Sequence, residues 1–200
     1  MNLPVVKYGH PMLRKKGARV DAVTPAIKEL IADMFETMNA NRGIGLAAQQ
    51  VGHALQLTVL DLRNVTDRPS TLELRGQPAD LNTFMPLVLI NPEVKAIGQP
   101  VAGPEGCLSF PEIFAEITRP ESVEVVALNE KGQRLEFRCG GLLARAVQHE
   151  TDHLHGILFI DRMTTETKAS FKEELGALQA DTKAALGKKH GLERGPGQAQ

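Results

Sequence analysis

The stretch Gln148-His149-Glu150-Thr151-Asp152-His153 sets two histidines four residues apart, with a glutamate directly after the first. In an α-helix advancing about 100° per residue, His153 lies only about 40° around from His149. Both imidazoles can then reach one metal ion from a single face, the arrangement of helical metal hydrolases. Glu150 falls about 60° beyond His153, where its carboxylate can touch a nearby water without itself being a ligand. A solvated, charge-rich helix would fit the same short pattern, so the remaining residues must separate the two readings. Gly140 and Gly141 lead into the helix and Gly156 stops it, which predicts helix over residues 142–155. Its stripe of Leu142, Ala146, His149 and His153 predicts a buried element that fixes its ligands.

Two nitrogens are one ligand short, because a catalytic site generally keeps three protein ligands and one open position. His155 points about 200° away from His153. His190 lies in a glycine-rich tail, and His10 and His53 have no supporting pattern. Cys107 is the chemically attractive third ligand, since thiolates bind such metals strongly. It stands in Gly103-Pro104-Glu105-Gly106-Cys107-Leu108-Ser109-Phe110-Pro111, a glycine- and proline-bounded segment. A cysteine in such a place also reads as a small buried hydrophobe. Cys139 alternates with Leu135 and Phe137 on an apolar strand face and reads as core.

The chain has 200 residues, 42% hydrophobic and 24% charged, with a net charge of −1. That suits one ordinary domain and gives no sign of a nucleic-acid or membrane-surface binder. Residues 1–20 contain no apolar run of signal-peptide type, and none elsewhere approaches a membrane span. A cytoplasmic protein with reduced cysteines is expected.

Thr24 as cap and Pro25 as first residue open a helix whose Ile27, Leu30, Ile31, Met34, Phe35 and Met38 form an apolar stripe. Gly43 to Gly52 then matches the G-x-G-x-x-A dinucleotide fingerprint superficially. The strand before and the long helix after that the fingerprint requires are both missing. Its glycines read instead as permitting a close backbone approach, with Gln50 presented nearby. Strands are predicted over 56–62, over 87–90 with a stop at Asn91-Pro92, over 94–102, and over 123–127 and 135–139 joined by a turn at 129–132. The polar residues 63–83 read as a long loop. Thr164 or Thr165 caps a last helix, about 164–186, docked by Phe171, Leu175, Leu178 and Leu186, and a disordered tail is expected over 187–200.

Together, Gly43-Ile44-Gly45-Leu46-Ala47-Ala48-Gln49-Gln50, Glu105-Gly106-Cys107-Leu108-Ser109 and His149-Glu150-Thr151-Asp152-His153 resemble the three signature motifs of peptide deformylases, in the family's order. The resemblance runs through Tyr8-Gly9-His10-Pro11 and Asn91-Pro92 to about Met163. It implies an α+β fold, with small antiparallel sheets packed around a buried central metal-binding helix and a C-terminal helix, in one catalytic domain over 1–186. It implies removal of the formyl group from formylmethionine on nascent polypeptides, with release of formate. The implied metal ligands are Cys107, His149 and His153. The implied metal is ferrous iron, with zinc, nickel or cobalt able to replace it.

The residue chemistry agrees with these roles. A metal lowers the pKa of a bound water from 15.7 toward about 7, and Glu150 would take that water's proton and later pass it to the departing amine. The Leu108 N–H and the Gln50 side chain would stabilise the oxyanion, each such donor being typically worth about 2.7–4 kcal/mol. Gly45 and Leu108 would pair with the substrate backbone as with an added strand, and the methionine side chain would enter a pocket near Ile44. Asp152 reads as a support for the ligands or the helix. The chain departs from many family members in carrying Phe114 where they place an arginine, which bears on substrate residues beyond the first. A zinc endopeptidase and an inactive metal-binding relative are the alternatives. The endopeptidase lacks a third ligand downstream, and the inactive relative would need neither Glu150 nor Gln50. The C-terminal segment, with Lys183, Lys188, Lys189 and Arg194, is a candidate for docking on the ribosome.

Overall fold

The computed structural model describes the backbone of residues 1–193 and the side chains of residues 1–188. Helix α1, Pro25–Ala40, starts as its sequence predicts, with the Thr24 hydroxyl accepting from the Ile27 amide at 3.3 Å. Its stripe buries Leu30, Ile31, Met34 and Met38 against β1, Gly45–Ala47, and β2, Leu57–Leu60. Full burial of such a side chain is worth about 1.5–3 kcal/mol, so this contact fixes the segment that carries Gln50.

The expected loop over 63–83 is corrected. It holds β3, Ser70–Leu74, β4, Gln77–Pro78, and a short helix α2, Leu81–Phe84. Leu72 is buried and Asp80 caps α2 through its side chain. The polar turn residues in this stretch hid a two-strand hairpin with few apolar positions.

Asn91-Pro92 does not stop a strand. β5 runs unbroken over Leu87–Cys107 and pairs from Ile90 onward with β6, Phe110–Leu128. The register shifts between Ile90 and Glu93, and again between Ile97 and Pro100, so Pro92 and Pro100 sit at bulges. Asn91 has φ +50, and its side-chain amide bonds both the N–H and the carbonyl of Val20, at 2.8 and 2.9 Å. The expected 123–127 and 135–139 strands are present in β6 and in β7, Arg134–Gly140.

The fold class is α+β, helices with an antiparallel sheet. The small sheets expected around the helix are joined into one seven-stranded sheet, ordered β1-β2-β5-β6-β7-β3-β4. The two long strands bend at their bulges and carry the ladder around α3, Gly141–Leu154. Helix α3 is buried on nearly all sides, from Leu142 to Leu154. After Gly156 the chain tightens into a 3-10 turn, Phe159–Asp161.

The last helix is split at Phe171 into α4, Thr165–Ser170, capped by Thr164, and α5, Lys172–Glu193. Phe171, Leu175 and Leu178 pack on the core as predicted, whereas Leu186 lies outside that cluster. Helix α5 extends to Glu193, and residues 194–200 of the expected tail lie outside the described residues. Among the described residues, no helix is long and apolar enough to cross a membrane.

Candidate metal centre

Helix α3 begins where β7 ends, at Gly140 and Gly141, neither of which can cap it with a side chain. Its exposed first amides are satisfied from the segment expected to be loop. Leu142 donates to the Pro69 carbonyl at 3.0 Å and Leu143 to the Ser70 hydroxyl at 3.1 Å. Gly141 has φ +64, and a Cβ there would overlap the Pro69 carbonyl, so only glycine allows this junction. The ligand helix is thereby fixed at its first turn.

Cys107 is the last residue of β5, at the mouth of a two-residue turn, Leu108-Ser109, that leads into β6. That turn delivers its sulfur to α3. The ligand atoms of Cys107, His149 and His153 all lie within 4.8 Å of one another, and Cys107 Sγ is 3.3 Å from His153 Nε2. One half-buried sulfur and two buried imidazole nitrogens, convergent on one point, fit a divalent transition metal with a further position open. His149 Nδ1 bonds Glu105 Oε2 at 3.0 Å, which leaves Nε2 for the ion, the carboxylate–histidine pairing of metal sites. Burial holds the His153 imidazole well below its ordinary range, in the neutral form a metal requires. Burial also opposes a charge on His149, but hydrogen bonds with Cys107 and Glu105 outweigh it and shift this imidazole well upward.

Gln50 reaches the site from a 3-10 turn, Ala48–Val51, and is 1% exposed. Its Oε1 accepts from the Ala47 amide at 2.8 Å, which turns its NH2 group toward Cys107 Sγ, 3.4 Å away, and Ser109 Oγ, 3.3 Å away. Glu150 is buried, and its Oε2 has no hydrogen-bond partner among the described residues. Desolvation raises its carboxyl to about 7, against the pull of His149. A Cβ on Gly45 would overlap Glu150 Oε1. The close approach expected of the first glycine motif is therefore the approach of this glutamate to β1.

Gly45, Ile44, Gln50, Leu108, His149 and Glu150 line one cavity of about 500 Å³. Every residue predicted from sequence for the site is therefore brought to the same place, in or beside that cavity. What sequence reasoning missed is the charged support behind it. Glu105 receives Arg119 in a fork at 2.6 and 3.0 Å and Arg145 at 2.9 Å. Arg119 also holds Asp152 at 2.8 Å, and Arg162 holds it at 2.6 Å. Burial works against the Glu105 charge, but hydrogen bonds from His149 and Arg119 prevail and bring its carboxyl down to about 2. The missed signal was available. Glu105 precedes Cys107 by two, hence shares its strand face, and Arg119 continues the inward series Ile113, Ala115, Ile117.

Residues 2–169 match the polypeptide deformylase family. A peptide deformylase of Opitutus terrae is 42% identical over 187 residues, which cover 92% of this chain and 97% of that one. The chain belongs to the peptide deformylase family. Among solved structures, a mutant of peptide deformylase 1B of Arabidopsis thaliana superposes with a TM-score of 0.79 at 38% identity, covering 92% of this chain and 94% of that one. A peptide deformylase from Synechococcus elongatus in complex with actinonin gives 0.71 at 35% identity, covering 90% and 85%. The seven-stranded sheet and the buried α3 are therefore features of a deformylase-family fold, and its members are enzymes.

Proposed function

We propose that the chain removes the formyl group from the N-terminal formylmethionine of newly made polypeptides and releases formate. The observation that carries this is one cavity holding three convergent metal ligands, a buried glutamate with a free oxygen, and a glutamine with its NH2 group turned inward. Residues 1–186 act as one catalytic domain, because both the first strand-like segment and the C-terminal helices pack on the hairpin that carries Cys107.

Cys107, His149 and His153 would hold a divalent ion, which would supply Lewis acidity for the formyl carbonyl and for water. Glu150, poised near neutrality by burial, takes the proton of the attacking water and returns it to the departing amine. The Gln50 NH2 group and the Leu108 N–H stabilise the negative charge that develops on the formyl oxygen. β1 is an edge strand, so the substrate adds to it alongside Gly45, with Leu108 on the opposite wall. The methionine side chain enters between Ile44 and α3. Ferrous iron is the proposed resident, with zinc, nickel or cobalt as substitutes, and the protein works in the cytoplasm. Docking of the C-terminal segment on the ribosome is proposed for α5, whose side chains up to Lys188 are largely exposed.

The test is anaerobic purification, metal analysis and measurement of formate released from a formyl-Met peptide. Metal at one equivalent with formate release is expected, and actinonin, the compound bound by the Synechococcus elongatus relative, should compete. Metal without formate release overturns the activity, and cleavage of internal peptide bonds replaces it with endopeptidase action. Unchanged ribosome co-sedimentation after truncation at Met163 overturns the docking.

A further inference from the structure

The segment Val6-Lys7-Tyr8 lies ahead of the first helical turn. Its three residues bond three points of the site in turn. The Val6 amide donates to the Gln50 carbonyl at 2.8 Å, and the Tyr8 amide to the Ser109 carbonyl at 2.9 Å. Between them the Lys7 ammonium donates to the Leu108 carbonyl at 2.7 Å. Leu108 and Ser109 form the turn between β5 and β6, where the sheet ladder offers their carbonyls no partner. Tyr8 also stacks on Phe110, with ring centroids 4.9 Å apart. The two oxyanion donors proposed above come from distant parts of the chain, the Ala48–Val51 turn and the hairpin tip.

We propose that Lys7 is a positioning residue, the middle tie of an N-terminal clasp that holds the Leu108 turn and Gln50 in register. This rests on the deformylase reading. A charge-assisted bond is roughly twice as strong as a neutral one, so the ammonium is the strongest tie on the Leu108–Ser109 peptide, the unit next to the one that carries the Leu108 N–H. Displacing a preorganised donor by about 1 Å costs up to about 100-fold in rate. Because the oxyanion exists only in the transition state, the loss falls on kcat rather than KM.

The test compares Lys7→Met and Lys7→Arg in the full, metal-loaded chain. Lys7→Met should lower kcat by about 10-fold or more with KM within about twofold, and Lys7→Arg should recover most of that loss. Amide hydrogen exchange over residues 105–110 should quicken in Lys7→Met while residues 142–154 stay protected. With Co²⁺ bound, the visible absorption of the variant should match the wild type. Should Lys7→Met fail to fold, Lys7→Gln, too short to reach Leu108, takes its place. Unchanged kcat and exchange would overturn the clasp. A rise in KM alone would make Lys7 a substrate contact, and a changed cobalt spectrum would make it act through the metal ligands; either overturns the proposal. Absence of formate release by the wild type would instead overturn the deformylase reading, while the exchange experiment would still decide the clasp.

Discussion

Glu105 and Glu150 are both buried beside His149, and the protein pushes them in opposite directions. Glu105 is held down to about 2 by His149 and Arg119 in spite of its burial, while desolvation lifts Glu150 to about 7. Glu105 touches Arg119, Arg145 and His149, whereas one oxygen of Glu150 touches nothing among the described residues that can hydrogen-bond it. The difference assigns their work. A carboxylate engaged on every side cannot exchange protons near neutral pH, but it can fix an imidazole and neutralise a ligand shell. A carboxylic acid left unpaired and desolvated by burial titrates where the chemistry needs it. Unpaired burial is expensive, so the arrangement survives only because β1 and α3 leave the side chain no other place. Gly45 supplies the room.

The comparison breaks most sharply at Glu150. Glu150→Gln keeps the shape and removes the base. We expect kcat for formate release to fall by about 10²–10⁴-fold, with metal content and unfolding midpoint near wild type. Near-normal turnover in this variant would strip Glu150 of its role. At Glu105 the expectation is reversed, with the damage reaching metal and fold first. Glu105→Gln leaves Arg119 and Arg145 facing an uncharged amide, and breaking one side of a buried ion pair costs about 3–5 kcal/mol. For a chain of this size that is roughly 10 °C in Tm, and metal affinity should weaken about 10–100-fold. Equilibrium dialysis and thermal unfolding measure both. A variant as stable and as tightly metallated as the wild type would show the rear network to be idle.

The asymmetry between these glutamates was half legible in the sequence. Glu150 follows His149 on a helix of fixed period, so its place near the metal could be read from spacing alone. Cys107 and Gln50 were identifiable because their neighbours carry recognisable motifs. Glu105 stands within such a motif, yet its partners lie 14 and 40 residues away, on β6 and α3. Such pairings depend on register, which local sequence does not encode. The same limit hid the sheet's continuity. Asn91-Pro92 has the composition of a stop, but Asn91 adopts positive φ at a bulge and is pinned by Val20. The hairpin at 70–78 was obscured by its turn-rich composition, and what identifies it is pairing with β7, which places Pro69 and Ser70 over the start of α3. Asp152 reads from spacing as a support for the ligands or the helix, but the groups it bonds, Arg119 and Arg162, arrive from elsewhere.

A third carboxylate sharpens the contrast from the weak end. Asp161 is exposed, ion-paired with Arg14, and accepts from the Leu158 amide at 2.9 Å. Desolvation raises its pKa, but Arg14 and the Leu158 amide outweigh it, and its carboxyl lies below the ordinary value. An acid whose folded pKa is depressed stabilises the fold above its unfolded pKa and loses that contribution as pH falls through the folded one. With the unfolded value near about 3.9, Asp161→Asn should cost a constant amount at neutral pH, and the gap to wild type should close below about pH 4. Because Arg14 is 45% exposed, solvent screens the pair and the cost should stay at or below about 1 kcal/mol. Urea unfolding of both proteins at about pH 7 and across about pH 3–4 measures the gap. A gap that widens on acidification would show that Asp161 stabilises the turn before α4 through its proton rather than its charge. That outcome would move Asp161 from the class of Glu105 to that of Glu150.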